Sequence, residues 1–155
     1  MKEVATTKKT IKRDYTYAVG RQREAVARVR LYDKVKDSHV WGEHSISKDQ
    51  MLVNEMPIEK YFSGVVAKAS YIEPLELVSA VGKFAFTIKV VGGGVNSQLD
   101  AAVKGIARAL SAFDTETYRK LLKDHGMLTR DARVRERRKV GTGGKARRKK
   151  QSPKR

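Results

Sequence analysis

The chain has 155 residues, 40% of them hydrophobic, with no cysteine and a net charge of +17. That is enough apolar material for one packed domain with an appendage, and it argues against a wholly disordered polycation. The missing cysteines exclude a disulfide scaffold, thiolate zinc ligation and a cysteine nucleophile. No apolar run approaches the roughly 18 residues needed to cross a bilayer, so a soluble chain with no membrane partner is expected. Residues 1–10 carry no apolar signal-like core, which makes the cytoplasm the expected location.

The charge is unevenly placed. Residues 128–155 hold thirteen Lys and Arg against two acidic residues, and residues 1–13 hold five against one. The stretch between them is nearly balanced. Three parts follow: a basic flexible extension over 1–13, a globular body over 14–127, and a basic tail over 128–155. A surplus that nothing on the chain neutralises points to a polyanionic partner.

Within the body, 15–19 reads as a strand broken by Gly20-Arg21-Gln22-Arg23. Ala25, Ala27, Val29 and Leu31 then alternate with Val26, Arg28, Arg30 and Tyr32, the period of a half-buried strand with both arginines outside. Those arginines face either RNA or water. Residues 33–50 are polar and weakly periodic, with a weak strand around 39–46. A short strand at 51–53 ends in an Asn54-Glu55 turn, and Pro57 suits the start of a short helix through Ile58, Tyr61 and Phe62. Helices are expected over 65–69 and 74–81, the second stopping at Gly82.

The clearest strand is 83–91, with Phe84, Phe86, Ile88 and Val90 on one face and Lys83, Thr87 and Lys89 on the other. Three glycines lead into a long helix whose stripe is Leu99, Val103, Ile106, Leu110 and Phe113. Ser97 to Asp100 has the spacing of a capping box at its start. A last helix, capped by Asp114, buries Tyr118, Leu121 and Leu122 and stops at His125-Gly126. Beyond Leu128 the apolar pattern ends. Val134 and Val140 cannot offset an ordering cost of about 1–2 kcal/mol per residue, so the tail should order only against a partner.

Candidate chemistry is sparse. The Gly92-Gly93-Gly94 turn into a helix is either close packing or a grip on a backbone phosphate. It lacks the Lys-Ser/Thr pair of a phosphate-binding loop and the acidic ribose partner of a dinucleotide site, which weighs against a nucleotide-dependent small-molecule kinase. His39 and His44 fall on opposite faces of any strand, and His125 sits at a helix end. No catalytic or metal-binding constellation emerges, so neither an enzyme, a cofactor nor a small-molecule substrate is expected. The tail is the strongest feature: Arg130, Arg133, Arg135, Arg137, Arg138 and Lys139, a glycine hinge, then Lys145, Arg147, Arg148, Lys149 and Lys150, and finally Lys154 and Arg155. Guanidinium forks pair with phosphate and stack on bases. A free RNA chaperone or nucleoid protein would explain that tail equally well.

One motif is more specific: Gly92-Gly93-Gly94-x-x-Ser97-Gln98-x-x-Ala101-x-x-x-Gly105-x-Ala107-Arg108-Ala109-Leu110. With Gly20-Arg21-x-Arg23-Glu24-Ala25-Val26-Ala27-Arg28-Val29, Val53-Asn54, Tyr61-Phe62 and Leu128-Thr129-Arg130-Asp131-x-Arg133, it resembles the bacterial form of ribosomal small-subunit protein nine. The resemblance implies an α+β fold: a β-α-β body with a four-stranded sheet backed by helices. It also implies a left-handed crossover, as in the ribosomal protein five second-domain-like superfold, where ordinary crossovers are right-handed. It implies a ribosome-bound protein of the small-subunit head, among neighbouring ribosomal proteins. Arg21, Arg23 and the tail cations through Lys150 would meet small-subunit ribosomal RNA, and Lys154 and Arg155 would meet P-site tRNA. Two departures stand out: 33–50 is longer than the usual connection, and the end reads Gln151-Ser152-Pro153-Lys154-Arg155 without the family's phenylalanine.

Overall fold

The structure is a computed structural model that describes residues 14–35, 40–42, 44–134 and 137. Strand β1 (Thr16–Gln22) turns back through Arg23 and Glu24 into β2 (Ala25–Tyr32), with Gln22 opposite Ala25. A small hairpin follows, β3 (Val40–Trp41) and β4 (His44–Ser45). Then come β5 (Met51–Val53), β6 (Met56–Pro57), the one-turn helix α1 (Ile58–Tyr61) and α2 (Val65–Leu77). Strand β7 (Ala85–Val91), α3 (Val95–Phe113) and α4 (Tyr118–Asp124) complete the body.

The main sheet runs β1-β2-β7-β5-β6. All its pairs are antiparallel except β5 with β7, which are parallel and joined through α1 and α2. The architecture is therefore α+β with a β-α-β unit. The sheet has five strands rather than the expected four, because the chain folds back at Asn54-Glu55 and pairs Met56 and Pro57 with β5. At an edge, proline costs little, since its missing N–H has no ladder partner to lose.

Alternation places the core where the sequence predicts it. Ala25, Ala27, Val29 and Leu31 are buried beside Phe86, Ile88 and Val90, while Arg28 and Arg30 are exposed. Each fully buried Leu, Ile or Phe contributes about 1.5–3 kcal/mol over its exposed state. Thr87 departs from expectation at 2% exposure. On that second face Tyr32, Ile46, Leu52 and Ala85 form a smaller core, with Tyr15, Val35 and Trp41 packed against it.

Helix α2 corrects two expectations. It is continuous across Pro74, and its stop falls at Ser79, well short of Gly82. Tyr71, Pro74, Leu75 and Val78 lie on one buried stripe, so core packing offsets the missing helical N–H. Ser79 takes the left-handed conformation (φ 51°), and the Ala80 N–H donates to the Leu75 carbonyl at 2.8 Å, closing the helix end without glycine.

Helix α3 also differs. Gly94, extended at φ −105° and ψ 169°, is its N-cap, so Ser97 lies inside the first turn and makes no side-chain cap. The face against the sheet is built from Ala101, Ala102, Gly105, Ile106, Ala109 and Leu110; Leu99 and Val103 are only half-buried and Phe113 flanks the core against Phe84. Small residues win the central positions because α3 lies directly on β1. A Cβ on Gly20 would sit 1.9 Å from the Ala101 carbonyl oxygen and 2.5 Å from the Gly105 nitrogen. Gly20, expected to break the first strand, is instead the point of closest approach between strand and helix, and the strand runs on to Gln22.

Before α4, Asp114 accepts hydrogen bonds from the backbone N–H of Glu116 and Thr117 at 3.1 Å each and from the Thr117 hydroxyl. The Thr117 bonds hold its carboxyl below the usual carboxylate range. Leu122 is buried, but Leu121 is 45% exposed, against expectation, because it falls on the outer side of this short helix. His125 and Gly126 (φ 71°) end the helix as predicted, and Met127 and Leu128 still pack on the core.

Candidate nucleic-acid interface and the turn that supports it

The glycine motif builds a joint. Gly92 and Gly93 are left-handed (φ 77° and 65°), and a Cβ on Gly92 would lie 2.5 Å from the Glu24 carbonyl oxygen. Gly93 lies closely on Ala25. The turn after β7 is thus pressed onto the β1–β2 hairpin, which is the close-packing alternative. Nothing crowds Gly94.

A hydrogen-bonded chain fixes this joint from the other side. Asn54, left-handed at φ 46°, follows β5, and its backbone N–H donates to the Ile88 carbonyl at 3.0 Å. Its side-chain oxygen accepts from the Val90 N–H at 2.9 Å, and its amide nitrogen donates to the Val90 carbonyl at 3.1 Å. One side chain therefore replaces the peptide group that a longer β5 would have offered to β7. The Tyr61 hydroxyl donates to Gln98 Oε1 at 2.9 Å, and Gln98 Nε2 donates to the Gly92 carbonyl at 3.0 Å. Replacing Asn54 with Ala leaves the Val90 groups unpaired and puts a Cβ residue without local hydrogen bonding in the left-handed region. The expected loss is roughly 2–3 kcal/mol, read as a lower urea midpoint at unchanged slope.

Arg108, the signature cation of α3, donates to the Val19 carbonyl at 2.9 Å and so pins the helix to the edge strand. Ser97, Gln98, Ala101 and Gly105 likewise lie on the helix that clamps β1. The structure gives most signature positions a structural role, with Ala101 and Gly105 forming the seat for Gly20.

The cations lie around the far end of this clamp. Arg21 is exposed on β1, and Arg23 is exposed at the hairpin tip with φ 50°. Arg23, Asp131, Arg133 and Val134 line one cleft, so the hairpin tip and the opening of the basic segment come together. Arg133 forms a bidentate pair with Asp131, closest at 2.8 Å. The Arg133 side chain, then its backbone N–H and charge, with Lys104 beyond, hold the Asp131 carboxyl down to about 2. Lys104 also donates to Gln22. Lys104 was not singled out from sequence; its place one residue before Gly105 was the available signal. Arg130 and Arg137 are exposed. Arg135, Arg138, Lys139, Lys145, Arg147, Arg148, Lys149, Lys150, Lys154 and Arg155 lie outside the described residues. Among the described residues no helix is long and apolar enough to cross a membrane, and no three acidic or histidine side chains gather to hold a metal.

The class defined by this build is a small basic α+β protein with exposed cations around a packed core. The family model for ribosomal protein S9/S16 matches residues 20–155, and the chain belongs to that family. It is 41% identical over 132 residues to the small ribosomal subunit protein uS9 of Maridesulfovibrio salexigens, covering 85% of this chain and 91% of that one. To uS9 of Thermus thermophilus it is 43% identical over 125 residues, 81% and 87% of the two chains. To uS9 of Chlorobium limicola it is 38% identical over 123 residues, 79% and 84%.

Proposed function

We propose that the chain is a non-enzymatic structural constituent of the small ribosomal subunit, bound to ribosomal RNA in the head, with its C-terminal end reaching P-site tRNA. The observation that carries this reading is family membership combined with thirteen cations against two acids in residues 128–155. Arg21, Arg23, Arg130, Arg133 and the tail cations through Lys150 bind phosphate and stack on unpaired bases. Lys154 and Arg155, at the last positions, serve the tRNA. The bacterial cytoplasm, neighbouring head proteins as partners, and the left-handed crossover of the ribosomal protein five second-domain-like superfold belong to the same reading.

Sedimentation tests it against a free nucleic-acid binder: the tagged chain should co-migrate with small subunits through a gradient in moderate salt. Migration at the top of the gradient defeats the proposal. Deleting only Lys154 and Arg155 should leave incorporation intact while tRNA dissociates from the P site a few-fold faster, a modest effect because two phosphate contacts are lost. Equal incorporation and unchanged tRNA dissociation would remove the tRNA role from these residues.

A further inference from the structure

Among the described residues, Val35, Trp41 and Ile46 close only part of the sheet's second face, and the exposed remainder has an unusual composition. Its cross-strand rows are Val19–Arg28–Lys89 and Arg21–Val26–Val91, with Tyr17 and Arg30 exposed beside the buried Thr87 at its border. Arg21, Arg28, Arg30 and Lys89 are all exposed, and these rows contain no carboxylate. Among the described residues, Arg21, Arg28 and Lys89 have no ion-pair or hydrogen-bond partner. Arg28 and Lys89 are direct cross-strand partners, a like-charge arrangement that destabilises a sheet. Arg30 is steadied by stacking 5.0 Å from the Tyr15 ring centroid, which orients its guanidinium without neutralising it.

We propose that this exposed part of the sheet is a second RNA-docking surface, separate from the basic tail, on which backbone phosphate sits against Arg28 and Lys89. The inference rests on the RNA-binding reading above. Charge complementarity selects the occupant: four cations without an anion suit a polyphosphate, whose dense charge fits the rows in any register. An acidic protein would need its carboxylates placed one by one. Tyr17, exposed at the edge of the same face, offers a ring on which an unpaired base stacks.

The test uses the full chain and a transcript of the small-subunit ribosomal RNA head, titrated between 50 and 200 mM KCl. R28Q/K89Q is expected to bind roughly tenfold more weakly, with the slope of log K against log salt shallower by about 1–2. R28K should retain the parent slope. The melting temperature of R28Q/K89Q should be no lower than the parent's, because the substitution relieves repulsion; a drop in melting temperature that accounts for the affinity loss overturns the proposal. The comparison is K145Q/R147Q/R148Q/K149Q/K150Q. If that variant weakens while R28Q/K89Q does not, the surface is wrong and the tail reading stands. If R28Q/K89Q weakens while the tail variant does not, the tail reading fails and the surface stands. Unchanged RNA affinity with poor incorporation into subunits identifies an acidic protein as the occupant and overturns the proposal.

Discussion

A chain ending at Thr129 should unfold as cooperatively as the parent and yet lose most of its salt-sensitive affinity for ribosomal RNA. The cut belongs there because Met127 and Leu128 still pack on the core, and the Thr129 N–H donates to the Gly126 carbonyl at 3.2 Å. A cut before Leu128 would remove part of the body along with the charge. If the missing cations neutralise about six phosphates, the parent's log K falls with log salt at a slope near −5, or roughly a thousandfold between 50 and 200 mM. The shortened chain should keep only the shallow residual slope of Arg21, Arg23 and the sheet cations. An unchanged slope, measured by filter binding, removes the tail from the RNA interface altogether.

The largest effect on stability should come from a single methyl group on β1. Gly20→Ala drives a Cβ into the backbone of α3 at Ala101 and Gly105, where no rotamer change can give way. Separating strand from helix would also loosen the buried contacts of Ala27 and Val29. A loss above about 3 kcal/mol is expected, beyond ordinary overpacking. Gly105→Ala makes an informative contrast. Its new Cβ would meet the buried, branched Val29 at Cγ2, 2.5 Å away, and the Gly20 nitrogen at 3.3 Å, a milder clash with backbone than Gly20→Ala makes, while the helix gains about 1 kcal/mol of propensity over glycine. Urea denaturation should therefore rank Gly20→Ala below Gly105→Ala, with both below the parent. Equal losses would show that the helix shifts as a rigid body and that the approach is not specific to Gly20.

Periodicity made the sheet legible. Alternation in 25–31 and 84–90 marks the core rows because one face of each strand meets the helices; burial follows it over 25–31, while in β7 Ala85 and Thr87 on the other face are buried too. Thr87, opposite Leu52 in the register, shares its face with a second small cluster that includes Ile46, Val35 and Trp41, apolar residues too few to show a period in the sequence. The helix stripe misleads for a related reason. Large residues at Leu99 and Phe113 suggest the packed face, but the close strand–helix approach at Gly20 selects alanine and glycine for the centre. Pro74 and Ser79 show local rules yielding to burial and to hydrogen bonding at the helix end. At the site, Arg21 and Arg23 read clearly as exposed cations beside a turn. The meeting of Arg23 with Asp131 and Arg133, and of Gln22 with Lys104 82 residues on, did not, since it depends on contacts between distant parts of the chain.

Strand β7 sits at the middle of the sheet, yet it comes after both of its neighbours in the chain: Val29 lies opposite Ile88, and Gly20 meets a helix centred near Gly105. During synthesis, β2 can pair at once with β1, but its other edge has no mate until about sixty more residues have been made, and the hairpin waits still longer for its helical clamp. Such distant pairings close slowly and leave a sticky ribbon uncovered in the meantime. Arg28 and Arg30 punctuate that ribbon with charge at every second position, so the side chains that leave the finished surface basic also shield the unfinished one from pairing with other nascent chains.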